Sequence, residues 1–279
     1  SQANGIINFM GGLGGIIAFL AGSAMYKINP SLPFWVGSGL VIFAALMVFF
    51  FIKEPEEFVQ TERYKIIKSL VDVSKDKDKS ALRLLFALFF WFLGYTALEA
   101  FFTLYAQNYL GLTESDGSRL LGHLSLLFVL FAIPSGLIGG NISRRGTISV
   151  GIILLTFVIF GISITPISTL TNVLTNLPVL GEILGISVFL MAGGIAWSLI
   201  NINSLPMLVD MTSIERIGTF TGLYYLFSTL SAILGPISNG ILIDLTGGNY
   251  NALMSLAPIT LLIALALISG VKRGEAQVT

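Results

Sequence analysis

Residues 83–109 read RLLFALFFWFLGYTALEAFFTLYAQNY. A helix rises about 1.5 Å per residue, so one over this stretch is long enough to cross a hydrocarbon core of about 30 Å. Its apolar residues run continuously, and past Arg83 a single charge, Glu99, interrupts them. A membrane-spanning strand would instead alternate apolar and polar residues over about ten positions, so the pattern is that of a transmembrane helix and not of a β-barrel. Seven further stretches of the same kind lie on either side, at 6–26, 32–52, 121–141, 147–166, 183–206, 217–243 and 251–270. Turn or polar signals separate them: Asn29-Pro30, a charged block, Glu114–Arg119, Arg144-Arg145, Thr165–Pro178, Asp210–Arg216 and Thr246–Asn249. The expected fold is all-α: a polytopic membrane bundle of eight transmembrane helices.

Composition agrees. Apolar residues make up 54% of the 279, with 30 glycines besides, and only 11% are charged. A soluble domain carries about 25% charged residues, and so few charges cannot cover a soluble surface. Net charge is zero, no basic stripe is present, and there is no Cys. These features exclude a soluble enzyme, a nucleic-acid-binding protein and a disulfide-stapled secreted domain. With one His and no Cys, a zinc site or a thiol nucleophile is excluded as well. Neither a phosphate-binding G-x-x-x-x-G-K-[ST] loop nor a G-x-S-x-G elbow occurs, and no cofactor is expected.

The charges are unevenly placed. Fifteen of the 30 fall between Lys53 and Arg83. With residue 1 inside, the inner segments hold thirteen Lys and Arg and the outer loops only Lys27 and Arg119. Basic residues are retained on the cytoplasmic side, so both termini are expected there, in a plasma-membrane protein of many passes. The block after Lys53 then reads as a cytoplasmic linker, its near-balanced signs those of a solvated tether.

Two spans, a linker and six spans make an asymmetric layout. Span one carries Asn4, Asn8, Gly11, Gly15 and Gly22 along one face. Span seven carries Thr221, Tyr225, Ser228, Ala232, Gly235 and Asn239 at similar intervals. Each is followed by a short outer loop, one apolar span and a charged tail, as if the first pair repeated the last. On that reading the natural protein has six spans, a linker and six spans. The opening Ser1-Gln2-Ala3-Asn4, close to a span and without an initiator Met, fits a fragment from which four helices are missing.

Several stretches carry a family likeness. They are Gln2-Ala3-Asn4-Gly5 with Gly11-Gly12-Leu13-Gly14-Gly15, Ile52-Lys53-Glu54-Pro55, and Gly139-Gly140-Asn141-Ile142-Ser143-Arg144-Arg145-Gly146. Asp210 through Gly222, Gly235-Pro236 and Gly240-Ile241-Leu242-Ile243-Asp244 complete the set. In this order they resemble helices five to twelve of the major facilitator superfamily of secondary transporters, in its sucrose-transporter-like, glycoside–pentoside–hexuronide-related branch. The resemblance implies residues 1–52 as the last two helices of an amino-terminal bundle, 53–82 as a cytoplasmic linker and 83–279 as a six-helix carboxy-terminal bundle. It also implies alternating access and a sugar or glycoside moved together with a coupling cation, a proton or sodium. The 139–146 loop departs from the family pattern, with Asn141 near the place of its acidic residue.

Candidate transport residues follow from polarity at depth. A charge deep in hydrocarbon costs at least about 2.5–3.5 kcal/mol, and Glu99 bears one some ten residues from the outer end of its span. Tyr95, Glu99 and Thr103 form a stripe at helical spacing that Gln107 extends. Glu99 either exchanges a proton during transport or pairs with a group elsewhere or snorkels. Trp197, Asn201 and Ser204 recur on span six with Asn203 beside them and Pro206 ending the regular hydrogen bonding. Amides and an indole suit sugar hydroxyls and sugar faces, and serve equally as glue between helices. Asn8 and Tyr225 occupy comparable faces of spans one and seven. Arg144, Arg145, Asp210, Glu215 and Arg216 gather at the inner face, as a gate latch or as interfacial anchors. Gly11 and Gly15 read as a close-packing face, and His123, near the outer interface, as a solvated or capping residue.

The function expected is thus a secondary active transporter, with a sugar-like solute, a coupling cation and the lipid bilayer as its partners and no nucleic acid. No deep Lys or Arg is present for an anion. An intramembrane enzyme would need paired catalytic groups where only one deep ionisable side chain exists. A non-transporting receptor or assembly subunit, or a transporter of another small solute, stands as the alternative.

Overall fold

The computed structural model describes residues 2–53 and 66–275, the side chains of residues 2–8, 66–69, 72 and 215 excepted. Among the described residues eight helices are long and apolar enough to cross a membrane. They are α1 (Gln2–Ile28), α2 (Leu32–Phe51), α4 (Ser80–Asn108), α5 (Glu114–Asn141), α6 (Arg144–Ile164), α8 (Gly185–Val209), α9 (Ile217–Leu245) and α10 (Leu253–Ser269). The all-α polytopic bundle stands.

The helix starts are set by local chemistry. The Thr113 hydroxyl accepts from the Asp116 amide while the Asp116 carboxylate accepts from the Thr113 amide, closing a capping box on α5. Ser143 Oγ accepts from the Gly146 amide at the start of α6. In consequence Glu114–Arg119 and Arg144-Arg145, expected as loops, form first turns of helices. Pro134, Pro206, Pro236 and Pro258 all lie inside helices. Pro206 therefore does not end its helix, which runs on to Val209.

Helix α4 sits centrally, packed on α9, α10 and α5; α5 packs on α8, α8 on α6 and α6 on α10, closing a ring. Trp91, Tyr105, Leu84, Ile148, Ile200 and Met207 fill its core without exposure. Glycine lets backbones touch where helices cross. A Cβ on Gly235 would stand 2.7 Å from the Leu93 carbonyl oxygen, and one on Gly151 2.8 Å from that of Ala196. Helix α1 leans on α5, where Ser23 Oγ meets the Ser115 hydroxyl at 2.8 Å and Ser118 Oγ donates to the Phe19 carbonyl. Here Gly12, and not Gly11 or Gly15, makes the close approach, against Phe128 and Val129. Gly11 has open space where a Cβ would be. Helix α2 buries none of its residues.

Four shorter elements have no counterpart in the hydropathy pattern. Part of the expected tether forms the amphipathic helix α3 (Ile66–Lys75), which seats Val73 against α4 and α9; residues 54–65 of that block lie outside the described residues. After the short helix α7 (Ile167–Leu170), strands β1 (Val173–Leu177) and β2 (Gly181–Leu184) pair antiparallel. Pro178 cannot donate to a helix, and Gly181 takes a φ of +71°, so the chain turns back on itself here. His123 fastens this hairpin. It is wholly buried, with Nε2 3.0 Å from the Leu180 carbonyl and Nδ1 3.1 Å from Ser187 Oγ. It is thus neither solvated nor a cap.

Candidate functional site

Helices α1, α4, α5 and α8 border an open hollow of about 390 Å³. Its floor and walls come from the glycines 11, 12 and 15 and Phe19 of α1, Leu124, Ser125 and Phe128 of α5, and Trp197 of α8. From α4 come Tyr95 and Glu99, one turn apart on one face. The absence of side chains on the α1 glycines leaves the room. A narrower pocket of about 40 Å³, enough for a water or two, continues past Tyr95 and Glu99 between apolar residues that include Leu121, Val158 and Leu190.

Glu99 is exposed at the open side of this hollow and has no hydrogen-bond or ion-pair partner among the described residues. Beside it the rings of Tyr95 and Trp197 lie face to face, with centroids 3.7 Å apart and planes 2° apart. Trp197 is 5% exposed. The hollow therefore offers a carboxyl group, the Ser125 hydroxyl and the Tyr95 ring backed by Trp197, with no basic side chain in its lining among the described residues.

Other candidates fall elsewhere. Thr103 packs its Cγ2 against Gly117 at the start of α5, and Gln107 donates to the Glu114 carboxylate at 2.6 Å. Asn203 is buried between α5 and α8, donating from its amide nitrogen to the carbonyls of Ser135 and Leu199. Asn201 is half-buried and outside the lining of the hollow. Tyr225 is 56% exposed; its neighbour Tyr224 is the buried one, its hydroxyl 2.8 Å from Ser204 Oγ. The side chain of Asn8 lies outside the described residues. Asn239 is fully buried, with neither amide atom partnered among the described residues.

The gate candidates share one end of the bundle. The Arg144 guanidinium pairs with the Asp210 carboxylate, joining the start of α6 to the end of α8. Arg145 donates to the Val271 carbonyl at 2.7 Å, and Arg216 lies over the Phe220 ring. The side chain of Glu215 lies outside the described residues. Glu275, absent from the expected candidates, joins them: its carboxylate accepts from Ser143 Oγ and from the Arg144 and Arg145 amides. An acid two residues beyond the basic pair Lys272-Arg273 was the available signal, and a carboxylate at a helix N-terminus is favoured by the exposed amides there. Arg273 reaches Asp78 at 2.6 Å and Asp76 at 3.4 Å.

A family model described as Major Facilitator Superfamily matches residues 1–204, a stretch that includes every residue lining the hollow. No curated protein matches the chain.

Proposed function

The chain belongs to the Major Facilitator Superfamily, a family of membrane transporters of small solutes, and from that premise we propose that the hollow beside Glu99 is its solute site. The observation that carries this reading is the position of Glu99, without a partner among the described residues, at a hollow lined also by Tyr95 stacked on Trp197. The proposed activity is symport of a sugar or glycoside with a proton. Glu99 would take up and release the proton, and the Tyr95 ring, backed by Trp197, would meet the apolar face of the sugar. Alternating access would come from the rocking of two helix groups about the hollow. The proposed division keeps residues 1–52 with an amino-terminal group, 53–82 as linker and 83–279 as a six-helix unit. The proposed setting is the plasma membrane with both termini in the cytoplasm, supported by the Lys and Arg bias of the loops.

A second reading is favoured by one observation. Asn201 and Asn203, the amides suited to sugar hydroxyls, do not line the hollow. What remains, one carboxylate among aromatic faces, also suits an organic cation, held by charge and by cation–π attraction. Uptake of radiolabelled sugars and of tetraphenylphosphonium into vesicles bearing the complete protein, with and without a proton gradient, separates the two. Gradient-driven sugar accumulation supports the first, accumulation or expulsion of the cation alone supports the second, and movement of neither removes both.

A further inference from the structure

A site that reads a solute by a flat ring must hold that ring at one angle, since a ring free to turn presents an averaged surface and loses affinity to ordering on binding. Tyr95 covers one face of Trp197. A second constraint comes from Phe92, lower on α4, whose ring meets the indole edge-on at 5.2 Å and 90°. Phe92 is in turn met edge-on by Tyr224 of α9, at 6.2 Å and 89°. Tyr224 is itself fixed. It is 6% exposed, and its hydroxyl lies 2.8 Å from Oγ of the wholly buried Ser204. The Ser204 hydroxyl donates to the Asn201 carbonyl at 2.8 Å, which uses its one hydrogen, so Tyr224 must be the donor to Ser204.

We infer that Tyr224 is a positioning residue: through Phe92 it fixes the angle of the buried Trp197 and of the Tyr95 ring stacked on it, and so ties the solute surface to the relative placement of α8 and α9. This rests on the reading of the hollow as the solute site. Helix α9 packs chiefly on α4 and only lightly on α8, so the Tyr224–Ser204 bond is a principal polar tie across that seam. A slide of α9 by one residue's rise, about 1.5 Å, breaks a 2.8 Å hydrogen bond and withdraws the edge that Phe92 rests on. The sequence pattern places Tyr225 on the polar face, so this tie is visible only once the rotation of α9 is known.

The test uses the complete protein with fluorine-labelled tryptophan, observed by fluorine NMR. Trp197→Phe identifies the Trp197 resonance, and Trp35, on the far helix α2, is the internal reference. Tyr224→Phe keeps the ring and removes the hydroxyl. Without any solute it is expected to shift or split the Trp197 resonance and leave that of Trp35 in place. In vesicles it is expected to raise the KM for radiolabelled phenyl β-glucoside about fivefold, the loss of one neutral hydrogen bond, with the maximal rate kept. Ser204→Ala should do the same and Ser204→Thr should restore both readouts. An unmoved Trp197 resonance in Tyr224→Phe and Ser204→Ala overturns the inference, as does a moved resonance with an unchanged KM. Tyr95→Ala distinguishes failure of the premise. If uptake survives it, or if no glucoside is taken up at all, the site or its sugar class is wrong, while the spectrum still decides whether Tyr224 holds Trp197.

Discussion

Gly194 of α8 backs onto the main chain of α5 so closely that a methyl group at its Cα would overlap the carbonyl oxygen of Leu124. The same methyl would stand 3.0 Å from the Phe128 amide nitrogen. Both obstacles are backbone within a helix and cannot swing aside. Gly194→Ala is therefore expected to push α5 and α8 apart and to destabilise the protein by about 1–3 kcal/mol, the usual cost of overpacking. Gly222 has nothing within 4 Å of a built Cβ, so Gly222→Ala is the control and should be neutral. Thermal unfolding in detergent compares them, and equal midpoints would refute the crossing.

Much of this architecture is written in hydropathy, because a bilayer demands long apolar helices wherever the chain crosses it. Each span was legible to within a few residues, save where polar caps such as Thr113 and Ser143 extend a helix into a charged segment. The hairpin was not, since 173–184 is a short apolar run with neither helical nor strand alternation. Helix rotation was legible only in part. On α9 the buried face runs through Phe220, Tyr224, Ser231, Gly235 and Asn239, while Thr221, Tyr225 and Ser228, the first half of the stripe seen in the sequence, lie about a quarter-turn from it. Glu99 stood out because a charge amid hydrocarbon is conspicuous. The burial of His123 and the role of Glu275 depend on partners 57 to 132 residues away, which no local pattern can announce.

His123 anchors the hairpin in a defined tautomer. The Leu180 carbonyl can only accept, so Nε2 carries the hydrogen and Nδ1 accepts from Ser187, whose oxygen also accepts from the Leu184 amide. His123→Ala is expected to cost about 1–3 kcal/mol for the buried partners left unpaired. It should also speed hydrogen exchange at the amides of residues 181–184 relative to α6. Unchanged protection there would show that strand pairing alone holds the hairpin.

The Arg144–Asp210 pair joins α6 to α8 at a partly open surface, with side-chain exposures of 13% and 39%. Solvent screening keeps such a pair to about 0.2–1 kcal/mol. Asp210→Asn should lower the unfolding midpoint slightly, Arg144→Asp should lower it more, and the exchange Arg144→Asp with Asp210→Arg should recover most of the loss. If the double exchange is no better than Arg144→Asp alone, the pair contributes nothing and Arg144 serves through its backbone amide to Glu275.

At the entrance to α4, the Ser80 hydroxyl and amide both donate to Asp78, and Arg273 and Lys272 add their charge, so its carboxyl titrates below the ordinary aspartate range. A depressed carboxyl contributes stability that is present above the unfolded value and lost as pH falls through the folded one. The tie between residues 76–80 and the tail at 272–273 should thus loosen only in strong acid. Asp78→Asn is expected to show that looseness at neutral pH, read as faster proteolysis after Lys272 or Arg273. Equal cleavage rates in the two proteins at neutral pH would dismiss the tie.

Glu99 supplies the sharpest test of the proposed proton role. Glutamine keeps the size and polarity of the side chain but cannot gain or lose a proton near neutral pH. Because no described residue bonds to Glu99, Glu99→Gln should leave the bundle intact and its unfolding midpoint nearly unchanged. Exchange of labelled for unlabelled solute across the vesicle wall needs only alternating access, so it should persist in the variant. Accumulation against a gradient needs a proton bound and released in each cycle, and should fall at least about tenfold, to the level of equilibration. Glu99→Asp, whose carboxyl is one methylene short, should keep part of the coupling. A glutamine variant that still concentrated solute under a proton gradient would remove the proton from Glu99 and return that residue to a purely solute-binding or packing role.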